Sequence, residues 1–439
     1  MKKRMIKVGN KQIPPFFKNQ IIKKVKAIDI SSQGFAVVKK DNFVIFTKAL
    51  LINEIADIKI IKVYKNHAIA KVEKLHKKSE FRQNPLCPYF QECNGCKYQH
   101  IDYKRQIEIK EKQLENLFGY KVKVASAENE YYYRNKSSFT ISSNEFNMYD
   151  ILNNKVKIKQ CPIANKEINN LMPTVLSTIN DYSNHQIKSV TFRYSKYKDS
   201  IMLIFTSEKE SEIINTIAQK IIEANNKVVS IVLSIGKSSN YLFNEKEKII
   251  VGKDIIQDKI FNKIFNITSK AFYQINNQQT EKLYNKILEF KQFKKSDNVL
   301  DLYCGVGSIG IIISDYVNSV LGLEINKDAV ASAQKNIRLN KASNVKVIKH
   351  DLRREVKIDN KINTIIVDPP RSGLSNKTIK AIIESKTESL IYVSCNPKTQ
   401  KRDIDTLKKN NYKVIKHEAV DMFINTEHVE GIALMQYQG

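Results

Sequence analysis

Asp301-Leu-Tyr-Cys-Gly-Val-Gly-Ser-Ile-Gly310 follows an apolar run and opens a segment of helix length. Glycines there let the backbone approach a ligand closely, as at the first strand-to-helix turn of a doubly wound sheet. Downstream, Glu324 closes the run Leu321-Gly-Leu-Glu324, where a carboxylate can accept from both hydroxyls of a ribose. Val299–Tyr303, Ser319–Glu324, Val345–Lys349, Thr364–Asp368 and Leu390–Ser394 read as strands with helix-length spacers. That alternation predicts an α/β, doubly wound, Rossmann-like domain over residues 266–439.

The glycine pattern alone serves NAD, FAD and S-adenosylmethionine alike. Asp301, just ahead of the loop, and Asp368-Pro-Pro-Arg371, at the end of the fourth strand, favour S-adenosylmethionine. Asp351 closes the third strand, where an acid would meet the adenine amino group. Cys304, inside the loop, reads as a packing residue. Cys395 is different: in Tyr392-Val-Ser-Cys-Asn-Pro397 it ends an apolar strand at the cofactor edge, where a thiol is placed for chemistry.

Upstream the pattern changes. Lys24–Ile28, Phe35–Lys39, Asn42–Phe46, Asp57–Tyr64 and Ala68–Lys74 are short alternating runs separated by turn signals. They predict a small all-β, OB-like barrel within residues 1–77. Residues 78–265 mix strand signals (Ser138–Ser142, Ser189–Tyr194, Ile201–Phe205, Val228–Ser234) with helices at Tyr103–Leu117 and Glu210–Ala224, an α+β domain. Cys87, Cys93 and Cys96 stand as C-x5-C-x2-C, and Cys161 follows in Gln160-Cys-Pro162. Four thiolates in this spacing suit an iron–sulfur cluster or zinc.

Seventy-three Lys and Arg face 45 Asp and Glu, a net charge of +28 that a polyanion such as nucleic acid would relieve. A lysine-rich composition is the competing explanation. No apolar run is long enough for a membrane helix and no signal sequence opens the chain, so a cytoplasmic protein is expected, with no membrane partner. There disulfides are rare, and cysteines turn to metals or catalysis.

Together these residues resemble the RNA (uracil-5-)-methyltransferase family, in its branch that modifies 23S ribosomal RNA. The marks are Ala271-Phe-Tyr-Gln-Ile-Asn276, Asp301-Leu-Tyr-Cys-Gly305, Asp368-Pro-Pro-Arg371, Val393-Ser-Cys-Asn-Pro397 and His428-Val-Glu430, with the four-cysteine set and a barrel like a TRAM domain. The resemblance implies that Gln274, Tyr303, Glu324 and Asp368 surround S-adenosylmethionine. It makes Cys395 the nucleophile and Glu430 the base, and Cys87, Cys93, Cys96 and Cys161 ligands of a [4Fe-4S] cluster. Gly431 departs from the family, which more often has a larger residue after the base, and His350-Asp-Leu352 departs from the usual Gly-Asp-Ala.

The chemistry then expected is methylation of uracil C5. Thiolate addition at C6 loads electron density onto C5, which attacks the methyl donor; a base then removes the C5 proton. Arg371, Lys398 or the helix amides after Pro397 are candidates to ionise the thiol. A monomer acting on 23S rRNA is expected. The alternatives are a tRNA-modifying relative, a dehydrogenase resting on the glycine loop, and a non-enzymatic RNA-binding metalloprotein.

Overall fold

The structure, a computed structural model, describes residues 7, 8, 11, 12 and 14–439, with side chains from residue 14. It divides into two compact units: residues up to Gln113 with Met148–Val156 and Asn425–Glu427, and the remainder of the chain.

In the first unit, strands Ile21–Ile30, Ala36–Lys40, Phe43–Thr47, His67–Lys77 and Ile55–Val63 close, in that spatial order, into a barrel. Alternation builds it: along Phe43–Thr47 every second residue is buried. Ala27, Val38, Ile45, Ile58, Ile60 and Ala68 fill the interior, while lysines at alternate positions stay in water. The barrel expected from the sequence is therefore present, with its strand ends moved by one to three residues.

The second unit carries two large sheets and, apart from them, the two-stranded pair Ile255–Ile260 and Lys263–Thr268. In one, Glu145–Tyr149, Lys136–Ser142, Ser189–Ser195, Ser200–Ser207, Val228–Ile235 and Lys246–Gly252 lie side by side. Helices Lys166–Asn180 and Glu212–Ala224 pack on it, capped by Asn165 and Ser211. The other sheet has the order Val345–Lys349, Ser319–Glu324, Asn298–Leu302, Thr364–Val367, Ser389–Ser394, Glu430–Tyr437, Tyr412–Val420, Lys123–Ala125. Its first five strands are parallel, as the helix-length spacers predicted. Glu430–Tyr437 then inserts antiparallel between Ser389–Ser394 and Tyr412–Val420. Lys123–Ala125, far upstream in sequence, completes the far edge. Strand Ser389–Ser394 is buried throughout, as befits a sheet covered on both faces. Among the described residues no helix is long and apolar enough to cross a membrane.

Candidate active site

Strand pairing decides which residues meet. Ser394 lies opposite Gly431, so Cys395 and Glu430, the next residues out along each strand, emerge together at one edge. Val367 pairs with both Leu302 and Tyr392, which brings Tyr303 and Asp368 to the same edge. Four of the residues singled out in the sequence thus share a rim because parallel strands end there and one antiparallel strand begins there.

The rim is crowded with negative charge. Cys395 is half-buried, and its thiol is pushed up to about 11, first by burial, then by the carboxylates of Glu430 and Asp368, with Arg371 opposing. Glu430 is buried, its carboxyl raised well above the usual range by burial and by Asp368, again opposed by Arg371. Asp368 is raised to about 6 by burial. A carboxyl pushed up is a stronger base once ionised, which suits a proton acceptor working near neutral pH. One Glu430 oxygen, Oε2, is buried without a hydrogen-bond partner, so it is free to meet a proton from a ligand.

Of the two cations proposed for the thiol, Arg371 is the one whose charge reaches it. Its carbonyl is held by Asn396 Nδ2 at 2.7 Å and Thr399 Oγ1 at 3.3 Å. These come from the cap and first turn of helix Pro397–Lys408, directly after Cys395. Its guanidinium lies 3.2 Å from His428 Nδ1. Lys398 is exposed. The absence of a side chain at Gly431 has a cause: a Cβ there would stand 2.4 Å from Gln400 Oε1. Gln400 Nε2 in turn donates to the Tyr392 carbonyl at 3.1 Å. The space that a larger neighbour would take is filled from the adjacent helix.

On the cofactor side, Tyr303 and Gly305 have φ of 64° and 57°, and a Cβ on Gly305 would meet nothing within 4 Å. The loop therefore turns its backbone toward open space. Glu324 closes its strand with Oε2 accepting from Gly305 N at 3.1 Å and Oε1 from Asn326 N at 2.8 Å. Asp301 is fully buried, and its carboxyl is raised to about 8 by burial, then by Asp368. An open glycine loop flanked by these acids fits a cationic, ribose-bearing ligand such as S-adenosylmethionine. Gln274 is buried, its carbonyl held by Asn135 Nδ2 at 3.0 Å, so Asn135 braces this segment. Asp351 stands apart: both of its oxygens accept from Arg353, at 3.0 Å each. Cys304 is buried against Gly322, where a Cβ would lie 2.8 Å from its sulfur; it packs, as expected.

Tyr284 was not singled out in the sequence. From helix Asn277–Lys291 its hydroxyl meets Ser308 Oγ at 2.9 Å, and the charges of Asp368, Asp301 and Glu430 reach it. One tyrosine among 20 carries no local signal of this; only the helix packing reveals it.

In the barrel-bearing unit, Cys87, Cys93 and Cys96 are half-buried. Lys48 donates to the carbonyls of Phe90 and Cys93. Burial and Lys97 lower its ammonium to about 8, while the charges of Cys93, Cys96 and Cys87 oppose that fall. Gly95 N points at Cys93 Sγ at 3.4 Å. Three thiols around buried ammonium groups are chemistry suited to thiolate ligands of an anionic cluster. Cys161, in the other unit, is held by Asn169, whose Oδ1 accepts from Cys161 N at 2.7 Å. Among the described residues no group of three or more His, Cys, Asp or Glu is assembled as a metal-binding set.

The chain is similar to known RNA methyltransferases. A curated RNA methyltransferase of Staphylococcus aureus, itself uncharacterized, is 34% identical over 450 residues, covering 94% of this chain and 97% of its own. One from Bacillus cereus is 34% identical over 468 residues, covering 98% and 99%. The crystal structure of Pyrococcus abyssi tRNA (uracil-54, C5)-methyltransferase with S-adenosyl-L-homocysteine covers 94% of this chain and 100% of its own, with a TM-score of 0.77. At 24% identity that likeness speaks for the fold. The family model described as tRNA (Uracil-5-)-methyltransferase matches residues 102–437, the span that contains Cys395, Glu430 and the glycine loop, and the chain belongs to that family.

Proposed function

We propose that the protein transfers a methyl group from S-adenosylmethionine to C5 of a uridine in 23S ribosomal RNA, through a covalent adduct between Cys395 and C6. The observation that carries this reading is the juxtaposition of Cys395 and Glu430 across the Ser394–Gly431 register. Nucleophile and base on neighbouring strand ends can address adjacent carbons of one ring. S-adenosylmethionine supplies an electrophilic methyl group; Gln274, Tyr303, Glu324 and Asp368 are the residues proposed to hold it. Asp351 would join them only after leaving Arg353.

Each residue's part follows from its surroundings. The Cys395 thiol, held protonated among carboxylates in the resting protein, must lose its proton to solvent as uridine binds; Arg371 is the cation that favours this. The thiolate adds to C6, breaking the C5=C6 π bond and moving that electron pair toward C5. After C5 has accepted the methyl group, Glu430 takes the C5 proton. The C–H electron pair re-forms C5=C6 and the C6–S bond breaks, returning thiolate to Cys395. The target base must be unstacked to expose its face, which suits a loop or a flipped nucleotide.

The four-cysteine set belongs to the same reading. Cys87, Cys93, Cys96 and Cys161 are proposed to hold a [4Fe-4S] cluster, and the barrel, in the manner of a TRAM domain, to grip RNA by charge. No step of methyl transfer runs through the cluster. The protein is read as a cytoplasmic monomer.

The decisive experiment incubates the protein with labelled methyl donor and total RNA, then maps 5-methyluridine. Label in 23S rRNA supports the reading. Label confined to tRNA would move the substrate to the second reading, which the family's description as tRNA (uracil-5-)-methyltransferases favours. Label in neither would end the proposal.

A further inference from the structure

Within the barrel-bearing unit, two walls of one cavity hang on a carboxylate that the reaction scheme leaves unused. Glu54 is fully buried. Its Oε2 accepts from Leu51 N at 2.8 Å and its Oε1 from Ser79 N at 3.0 Å. Arg82 neutralises it, its Nε donating to Oε1 at 2.6 Å. The turn at residues 51–53 is thereby joined to the segment that follows strand His67–Lys77. A third wall is tied on by Asp102: its amide donates to the Phe81 carbonyl at 2.9 Å, and its Oδ1 accepts from Arg105 N at 3.3 Å. Between these walls lies a cavity of about 310 Å³, at the small end of ligand sites. Leu51, Ile52 and Ile109 give it apolar lining. Phe81, also in the lining, keeps 38% of its surface in water, and the Arg105 guanidinium sits 4.9 Å from its ring centroid. Glu108 fixes that guanidinium at 2.7 Å. Ring and guanidinium are the two kinds of plane on which RNA bases stack. Lys77 and Lys78, both exposed, bring positive charge to the lining against one acid, Glu80. A phenylalanine left in water adds nothing to the core, yet a frame pinned by a buried ion pair holds it there.

We propose that this cavity takes an unstacked nucleotide of the RNA substrate, its base against Phe81 and Arg105 and its phosphate at Lys77 and Lys78. The inference deepens the reading of RNA as substrate and rests on it, but not on the chemistry at Cys395. The walls are assembled before RNA arrives, so binding costs little ordering. Recognition of this kind tolerates any base, because every base has a stacking face.

The test is equilibrium binding of full-length protein to a labelled single-stranded RNA of about ten nucleotides, followed by fluorescence anisotropy across a salt series. Phe81→Ala is expected to weaken binding about five- to a hundredfold, the worth of one stacked base, and Phe81→Tyr to bind like the parent. Its salt slope should match the parent's, because stacking releases no counterions. Lys77→Gln combined with Lys78→Gln should lower the slope of log affinity against log salt by about 1.4, the share of two phosphate contacts. Thermal melts check that each variant is folded; should Phe81→Ala fail there, the surface lysine pair carries the test. Parent-like affinity in a folded Phe81→Ala, or an unchanged slope in the lysine variant, would overturn the proposal. A parent that binds RNA while every variant matches it removes the cavity alone. A parent that binds no RNA takes down the reading of RNA as substrate, and this inference with it.

Discussion

Two sets of cysteines in this protein live in opposite electrostatic surroundings. Cys395 stands among Glu430 and Asp368, whose charges oppose its ionisation. Cys87, Cys93 and Cys96 stand around Lys48, with Lys97 nearby, and their charges and the ammonium favour one another. The difference matches two uses of sulfur. A thiol that must attack and then leave gains from being protonated until substrate arrives, and a poorly stabilised thiolate is the stronger nucleophile. A thiolate that serves as a permanent ligand gains from fixed positive charge.

The contrast can be broken most sharply at Cys395. Cys395→Ala should reduce methyl transfer to background and leave no covalent RNA adduct, a loss of at least about four orders of magnitude if the thiol is the nucleophile. Labelled methyl incorporation measures it, and appreciable turnover would remove the thiol from the mechanism. At the other site, Lys48→Met deletes the ammonium beside the three cysteines. If they ligate a cluster, its retention should weaken about ten- to a hundredfold, as for other outer-sphere partners of metal ligands. Iron and sulfide analysis after anaerobic purification checks this, and unchanged retention against a chelator would deny Lys48 that part.

A finer probe titrates Cys395 by its alkylation rate. Starting from about 11, Glu430→Gln should move its ionisation to lower pH and Arg371→Ala to higher pH, because the first removes an opposing charge and the second a favouring one. A shift of about one unit in either direction is about a tenfold change in rate at fixed pH below the midpoint. The same direction in both variants would contradict the charge arrangement.

The smallest effect concerns stability. Asp301 has its carboxyl raised in the folded state, so the native protein binds more protons than the unfolded chain between about pH 4 and pH 8. Stability should therefore fall as pH rises through that window. Asp301→Asn should flatten the slope, gaining about 1–2 kcal/mol, or a few degrees in Tm, at the alkaline end. Thermal melts from pH 5 to pH 8 compare the two; parallel curves would exclude Asp301 as the source.

Much of the fold was legible because its signals are local. The barrel's turns and alternation, the five parallel strands and the helices Tyr103–Phe118 and Glu212–Ala224 all lie within a few residues of where hydropathy and capping place them. Asn298–Leu302 is read from its own apolar run, and the glycine loop from its own residues. The additions at the sheet's far edge were not legible. Lys123–Ala125 is a three-residue strand whose partner lies nearly three hundred positions away, and nothing near residue 123 announces that pairing. For the same reason Tyr284 and Gln400 carry no motif; their parts arise from what long-range packing puts beside them.

The amino-acid sequence by itself determined which chemical groups this protein owns: one thiol at a strand end, a glycine loop with a packed cysteine and acids around it, four cysteines upstream and a large excess of lysine. It did so because side-chain identity and short-range backbone preference are properties of neighbouring residues. Only the tertiary structure decided that Cys395 faces Glu430 across an antiparallel pair, that carboxylates and not cations dominate around it, and that Asp351 is turned to Arg353. Those outcomes depend on strand register and on burial, which sum over contacts between residues far apart in the chain.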